Sequence, residues 1–168
     1  MLIIGIDPGP EKSAAVMFDG SCISHAAYYT NSILRLMLIS PGFKGVKLAI
    51  EYPEGRGMAT PQSLLDTACW CGRFDHDRTA ALYHPRNIRA HFCGTANSDR
   101  SNVIRAIKDR YGEVGTKKKP GPLYLVGGSH PTEDGASITG HLWDALAVAL
   151  MYYELHCGKH ANEKEAGK

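Results

Sequence analysis

No apolar run in this chain approaches the roughly 20 residues of a membrane-spanning helix. The N-terminus has neither a basic segment nor a small-residue cleavage site, so no secretory signal is expected and a cytoplasmic protein is. Cysteine is scarce: Cys22, Cys69, Cys71, Cys93 and Cys157 are odd in number and form no CxxC pair. That argues against a disulfide framework or a zinc site and for free thiols in a reducing compartment. No internal repeat or low-complexity tract is present, and 168 residues suit one domain with one core. Residues 1–156 are read as that domain and 157–168 as a polar tail.

Net charge is also small, +2, but it is unevenly placed. Between His84 and Pro120 stand nine basic residues: Arg86, Arg89, Arg100, Arg105, Lys108, Arg110, Lys117, Lys118 and Lys119. Three acids share the window, which is therefore +6 and leaves −4 for the remainder. A basic half beside an acidic half points to a polyanion held by one and metal ions held by the other, against the plainer reading of a solvated helix face and a charged loop.

What is present is a repeated pattern. Leu2-Ile3-Ile4-Gly5-Ile6 is a short β-branched run that reads as a strand buried on both faces, and it delivers Asp7 against the breaker Pro8-Gly9-Pro10. Val46 to Ile50 repeats the design with Glu51 at its end. Parallel strands joined by a crossover helix place their carboxyl ends on one edge, which makes the two acids neighbours. Ala14–Phe18 and Ser21–Tyr29 flank Asp19-Gly20, a hairpin signal. The expected sheet is thus mixed and five-stranded: three antiparallel strands, then two parallel ones, the last at Thr79–Tyr83.

Helices are expected from Asn31 as N-cap, with Ile33, Leu34, Leu36, Met37 and Leu38 inward. Others are expected from Pro61 to about Phe74 through Leu64, Leu65, Cys69 and Gly72, and from Pro85 to Gly94 with Arg86 and Arg89 exposed. A further helix is capped by Ser98 or Asp99, and a last one, capped by Thr139, runs to about Leu155. Trp70 reads as a packing or subunit-contact residue, and Leu123–Val126 as a brief extended segment. His141 and Asp144 lie three apart on the last helix. If Asp7, Glu51, His141 and Asp144 converge, carboxylate oxygens with one imidazole suit Mg²⁺ or Mn²⁺, two ions per site, in a clamp for displacement at phosphorus.

At these residues the sequence resembles the RuvC-like Holliday junction resolvases of the RNase H-like superfamily. Ile3 to Gly9, Leu48-Ala49-Ile50-Glu51, Ser63 through Arg73, Pro85 with Arg89 and Gly94 through Val103, and His141-Leu142-Trp143-Asp144-Ala145-Leu146-Ala147 follow the family's order. The resemblance implies an α/β RNase H-like nuclease and a homodimer that resolves four-way DNA junctions by paired nicks leaving 5′-phosphates. It implies Asp7, Glu51, His141 and Asp144 as metal ligands and Arg100 beside the scissile phosphate, where the family has a lysine. Arginine keeps that charge but donates no proton in catalysis. His141 stands where many members have aspartate. Glu54 stands at the place of a junction-wedging aromatic residue, leaving Tyr52 or Met58 to serve or a different mechanism of junction opening. Arg86, Arg89, Arg100, Arg105, Lys117, Lys118 and Lys119 are the expected grip on DNA. The short chain fits a compact or phage-type member in a bacterial or infected cell.

Rival readings are a catalytically silent junction-binding module and a nuclease of the same fold acting on RNA–DNA hybrids or other branched DNA. Actin-like ATPases share the strand-acid-glycine opening but need two such domains. No second phosphate loop is found here, so no nucleotide cofactor is expected.

Overall fold

The computed structural model describes residues 1–55, 61–75, 80–112, 115–116, 119–120 and 138–158. Five strands form one sheet in the order β3-β2-β1-β4-β5. They are β1 (Ile3–Asp7), β2 (Lys12–Phe18), β3 (Ile23–Thr30), β4 (Lys47–Glu51) and β5 (Ala81–Tyr83). β1 pairs antiparallel with β2 and parallel with β4, β2 antiparallel with β3, and β4 parallel with β5. This is the expected mixed sheet. A two-stranded ribbon, β6 (Gly115–Thr116) with β7 (Lys119–Pro120), was not expected. The Leu123–Val126 segment lies outside the described residues.

Strand parity decides where the acids point. Ile6 pairs with Ile50, so the next residues along, Asp7 and Glu51, end adjacent strands at matching heights. Side chains alternate across a sheet. Ile4, Ile6, Leu48 and Ile50 pack on one face with α1 (Asn31–Ile39) and α2 (Gln62–Phe74). Ile3 and Ala49 pack on the other, under α3 (Pro85–Cys93), α4 (Arg100–Tyr111) and α5 (Leu142–His156). Asp7 and Glu51 share the parity of Ile3 and Ala49, so both belong to the α5 face.

α5 is buried on nearly every side: Leu142, Trp143 and the whole run Ala145–Met151 are inaccessible. A helix that is apolar all round has to sit inside. It lies directly on β1 because β1 carries Gly5 there. A Cβ at Gly5 would fall inside the Ala145 carbonyl oxygen and 2.8 Å from the Ala149 Cβ.

Several sequence expectations are corrected. The β2–β3 connection has four residues, Asp19–Cys22, and not the two of a tight Asp-Gly turn. The Asp19 carboxylate accepts backbone N–H groups from Ser21 and Cys22, each at 2.8 Å, which holds its carboxyl well below the usual range. Asn31 is no cap; the N-cap of α1 is Thr30, without a side-chain bond. Asn31 is instead buried, its amide donating to the Gly9 carbonyl (2.9 Å) and its carbonyl oxygen accepting from Ser13 Oγ (2.6 Å). It latches the Pro8–Pro10 turn that follows Asp7. An apolar replacement removes the acceptor of the Ser13 hydroxyl proton and the side-chain donor to the Gly9 carbonyl, leaving Ser13 Oγ only the long Gly9 N–H bond at 3.4 Å. Asn31→Leu is therefore expected to destabilise the protein by about 1–3 kcal/mol, measured by denaturant unfolding.

On α1, Ile33 and Leu36 face outward (52% and 62% exposed), leaving Leu34 and Leu38 to pack. α2 buries Thr67, Cys71 and Phe74, while Leu65, Cys69 and Gly72 are exposed. The helix capped at Asp99 is as expected: its carboxylate accepts the Asn102 N–H at 2.9 Å. α5 begins two residues later than a Thr139 cap requires. Its N-cap is His141, because Gly140 takes φ +52° and turns the chain first.

Candidate active site

Each acid arrives on a different element. Asp7 ends the central strand, Glu51 its parallel neighbour, and Asp144 occupies the first turn of α5. His141 precedes that turn. The Asp7, His141 and Asp144 ligand atoms all lie within 4.8 Å of one another. His141 Nδ1 is 2.7 Å from Asp7 Oδ2 and 3.5 Å from Asp144 Oδ2. Glu51 is outside this tight trio but lines the same cavity, of about 200 Å³, with Asp7, Asp144 and His141.

The opposite wall is cationic. Arg100, the first residue of α4, bonds Asp144 Oδ2 at 2.7 Å. Arg89 of α3 lines the cavity too and is half-buried, not the exposed residue expected from the sequence. The other predicted DNA contacts are elsewhere. Arg86 pairs with Glu54 at 2.6 Å, and Arg105 is exposed and bonds the Asn102 side chain. Lys117, Lys118 and the Lys119 side chain lie outside the described residues. So does Met58. Tyr52, its alternative, is half-buried with its ring edge-on to His84 at 5.5 Å.

Burial and mutual repulsion dominate the electrostatics. Glu51 is pushed up to about 8, first by desolvation and then by the charges of Asp7 and Asp144; Arg89 and Arg100 pull it back only partly. Asp7 and Asp144 are raised as well, chiefly by burial. All three carboxyls therefore hold protons more tightly folded than unfolded. Their stabilising contribution is complete below the unfolded range near 4 and is lost as pH rises through about 8. With divalent metal removed, thermal stability is expected to fall between about pH 5 and pH 9. Glu51→Gln should flatten that fall and raise the melting temperature at the alkaline end, as read by circular dichroism melts across the pH series.

Two further features escape sequence reasoning. Tyr28 of β3 donates its hydroxyl to the Thr139 carbonyl at 3.2 Å, and a Cβ on Gly140 would meet that hydroxyl at 2.8 Å. The tyrosine and the glycine together seat His141. At the far end of α5, Glu154 accepts from Arg110 (2.9 Å) and Tyr111 (2.7 Å) and meets His91 Nε2 at 2.6 Å. Those bonds hold Glu154 down to about 2 and bind α3 and α4, which carry Arg89 and Arg100, to the helix of Asp144. No sequence signal marks either, since both join residues far apart in the chain.

Comparison with solved structures bears on the fold. The structure of Thermus thermophilus RuvC superposes with a TM-score of 0.59, covering 92% of this chain and 95% of that one at 15% identity. The fold is that of RuvC. The same protein in complex with a Holliday junction substrate matches with a TM-score of 0.57, over 90% of this chain and 92% of that one, at 16% identity. No family model and no curated protein matches the sequence. The RNase H-like sheet and its flanking helices are therefore shared with RuvC although few residues are. No helix among the described residues is long and apolar enough to cross a membrane.

Proposed function

We propose that this chain is a metal-dependent endonuclease that resolves four-way DNA junctions, leaving 5′-phosphates. The observation that carries the reading is the meeting of acids from β1, β4 and α5 in one cavity walled by two arginines, on a RuvC fold.

The donor set fits Mg²⁺ or Mn²⁺. Three carboxylates with one imidazole are mostly hard oxygen ligands, and their burial beside one another is a place where a divalent cation offsets both desolvation and mutual repulsion. Asp7, Glu51, Asp144 and His141 would hold the ions, two per site. Bound there, divalent metal supplies Lewis-acid polarisation of the phosphoryl group and acidifies the attacking water. The chain's own residues do the rest. Arg89 and Arg100 face the acids and meet the non-bridging oxygens of a phosphate, where charge grows in the transition state. Arg100 then exchanges its bond with Asp144 for one with the phosphate. The Asn31 latch and the Tyr28–Gly140 seat fix Asp7 and His141 in advance of binding, so little reorganisation remains.

Two active sites across one junction require two copies. Exposed Ile33, Leu36 and Leu65 on α1 and α2, on the side of the sheet away from α5, support a homodimer.

The test is incubation with a mobile four-way junction in Mg²⁺ or Mn²⁺, beside a flap, a linear duplex and an RNA–DNA hybrid. Paired nicks in the junction alone are expected. Binding without cleavage in either metal would make the protein a silent module, and preference for the hybrid or flap would reassign the substrate. Affinity should also fall steeply with salt through counterion release. Neutralising Lys117, Lys118 and Lys119 together should flatten that slope; an unchanged slope means the segment stays off the DNA.

A further inference from the structure

A second cavity, of about 400 Å³, lies on the other side of Asp7 and His141 and shares both with the acid cavity. Its lining is more apolar than polar: Pro8, Pro10, Pro61, Leu64 and Tyr28, with Ser63, Thr67 and exposed Lys12 also on it. The two spaces differ in what they can hold. The acid cavity, at about 200 Å³ and lined by arginines and carboxylates, suits a phosphate group. The larger one is within the size range of small-molecule sites. Because they share Asp7 and His141, the two cavities adjoin, and a strand with its phosphate in one has the other beside it.

We propose that the cavity beside β3 seats the nucleotide next to the scissile phosphate, with its base against the Tyr28 ring and its outer phosphate toward Lys12. The proposal rests on the nuclease reading of the acid cavity. Tyr28 suits the task because its hydroxyl is already tied to the Thr139 carbonyl. Tyr28 is 44% exposed yet its side chain is pinned at the hydroxyl, so a base stacking on it immobilises little that was free. Stacking on an aromatic face is tolerant of base identity. The apolar walls favour a base over a second phosphate, and Lys12 favours the anionic backbone of a nucleic acid over an uncharged peptide.

The same contact couples the pocket to the chemistry. A base pressing on Tyr28 bears on the residue that seats Gly140 and His141. Occupancy of the cavity is thereby linked to the position of a metal-ligating side chain.

The experiment uses the full chain and a four-way junction whose cleavage position has been mapped. Three junctions are compared: intact, and with an abasic site one nucleotide to either side of the cut. Affinity is measured in Ca²⁺ and single-turnover cleavage in Mg²⁺, for wild type, Tyr28→Phe, Tyr28→Ala and Lys12→Gln. Tyr28→Ala should weaken binding to the intact junction about 5- to 100-fold. It should lose little on the junction that lacks the base on the pocket side. Tyr28→Phe keeps the ring and should retain affinity while slowing cleavage, because the Thr139 bond is gone. Lys12→Gln should lower the salt slope of binding by about one.

An equal loss with Tyr28→Ala on all three junctions would overturn the proposal and leave Tyr28 only the seating of His141. If Tyr28→Ala does not fold, Leu64→Trp fills the cavity from the opposite wall. It should discriminate intact from abasic junctions in the same way, and equal behaviour on both overturns the proposal. Failure of wild type to cut any junction in Mg²⁺ or Mn²⁺ is a different result: it removes the nuclease reading, and the pocket assignment with it.

Discussion

Asp7→Asn is expected to reduce junction cleavage by at least about 10³-fold while leaving junction binding intact or tighter. Asp7 is the acid that touches both sides of the site: it meets His141 at 2.7 Å and, like His141, lines both cavities. Its carboxyl is only 13% exposed, and it faces the charge of Asp144. Replacing it with a neutral isostere removes a ligand and also removes repulsion. The metal-free variant should therefore melt at a higher temperature than wild type at about pH 8, and close to wild type near pH 4, where the native carboxyl is protonated anyway. Activity lost together with stability gained is the signature of a strained functional acid. A variant that lost cleavage because it no longer melted cooperatively would make Asp7 a structural residue.

Gly5→Ala carries the second large effect, and it acts at a distance of two residues from any ligand. The added methyl has no room, because the Ala145 carbonyl and the Ala149 side chain already lie against that Cα. Neither neighbour is the end of a flexible side chain, so α5 has to lift from β1. Overpacking of a close helix–strand contact costs about 3 kcal/mol at the upper end of its range. For a chain of this size that lowers the melting temperature by about 6–12 °C. The same displacement moves Asp144 and His141 away from Asp7. Cleavage should fall far more than the folded fraction does at a temperature where the variant remains folded. Cleavage at the wild-type rate from a folded Gly5→Ala protein would show that α5 need not lie so close.

The sheet and the meeting of its two strand-end acids are legible in the sequence, for a physical reason. Two short β-branched runs, each ending in an acid and a breaker, leave few options for where the acids go. Parity does the rest once β1 and β4 pair in parallel. His141 and Asp144 were legible as a pair because both fall within the first turns of one apolar helix. The misses are of another kind. Asn31 at a helix start looks the same in sequence whether it caps that helix or latches a turn 22 residues earlier. Gly140 gave no sign that it would take a positive φ and delay α5, since that depends on Tyr28 reaching it across the fold. Ile33 and Leu36 fit an inward stripe by spacing, yet the sheet beneath α1 has room for only Leu34 and Leu38. Arg89 reads as one surface cation among nine; its place on the cavity wall beside the acids follows from the packing of α3 against α5, which joins residues far apart in the chain.

Calorimetric titration of Mn²⁺ into the wild-type protein and into Asp7→Asn, each first stripped of metal, tests the meeting of these acids most directly. Saturable binding to wild type, releasing protons at neutral pH and abolished by the substitution, is the predicted result. No saturable binding to the wild type, or binding that Asp7→Asn leaves unchanged, would contradict it.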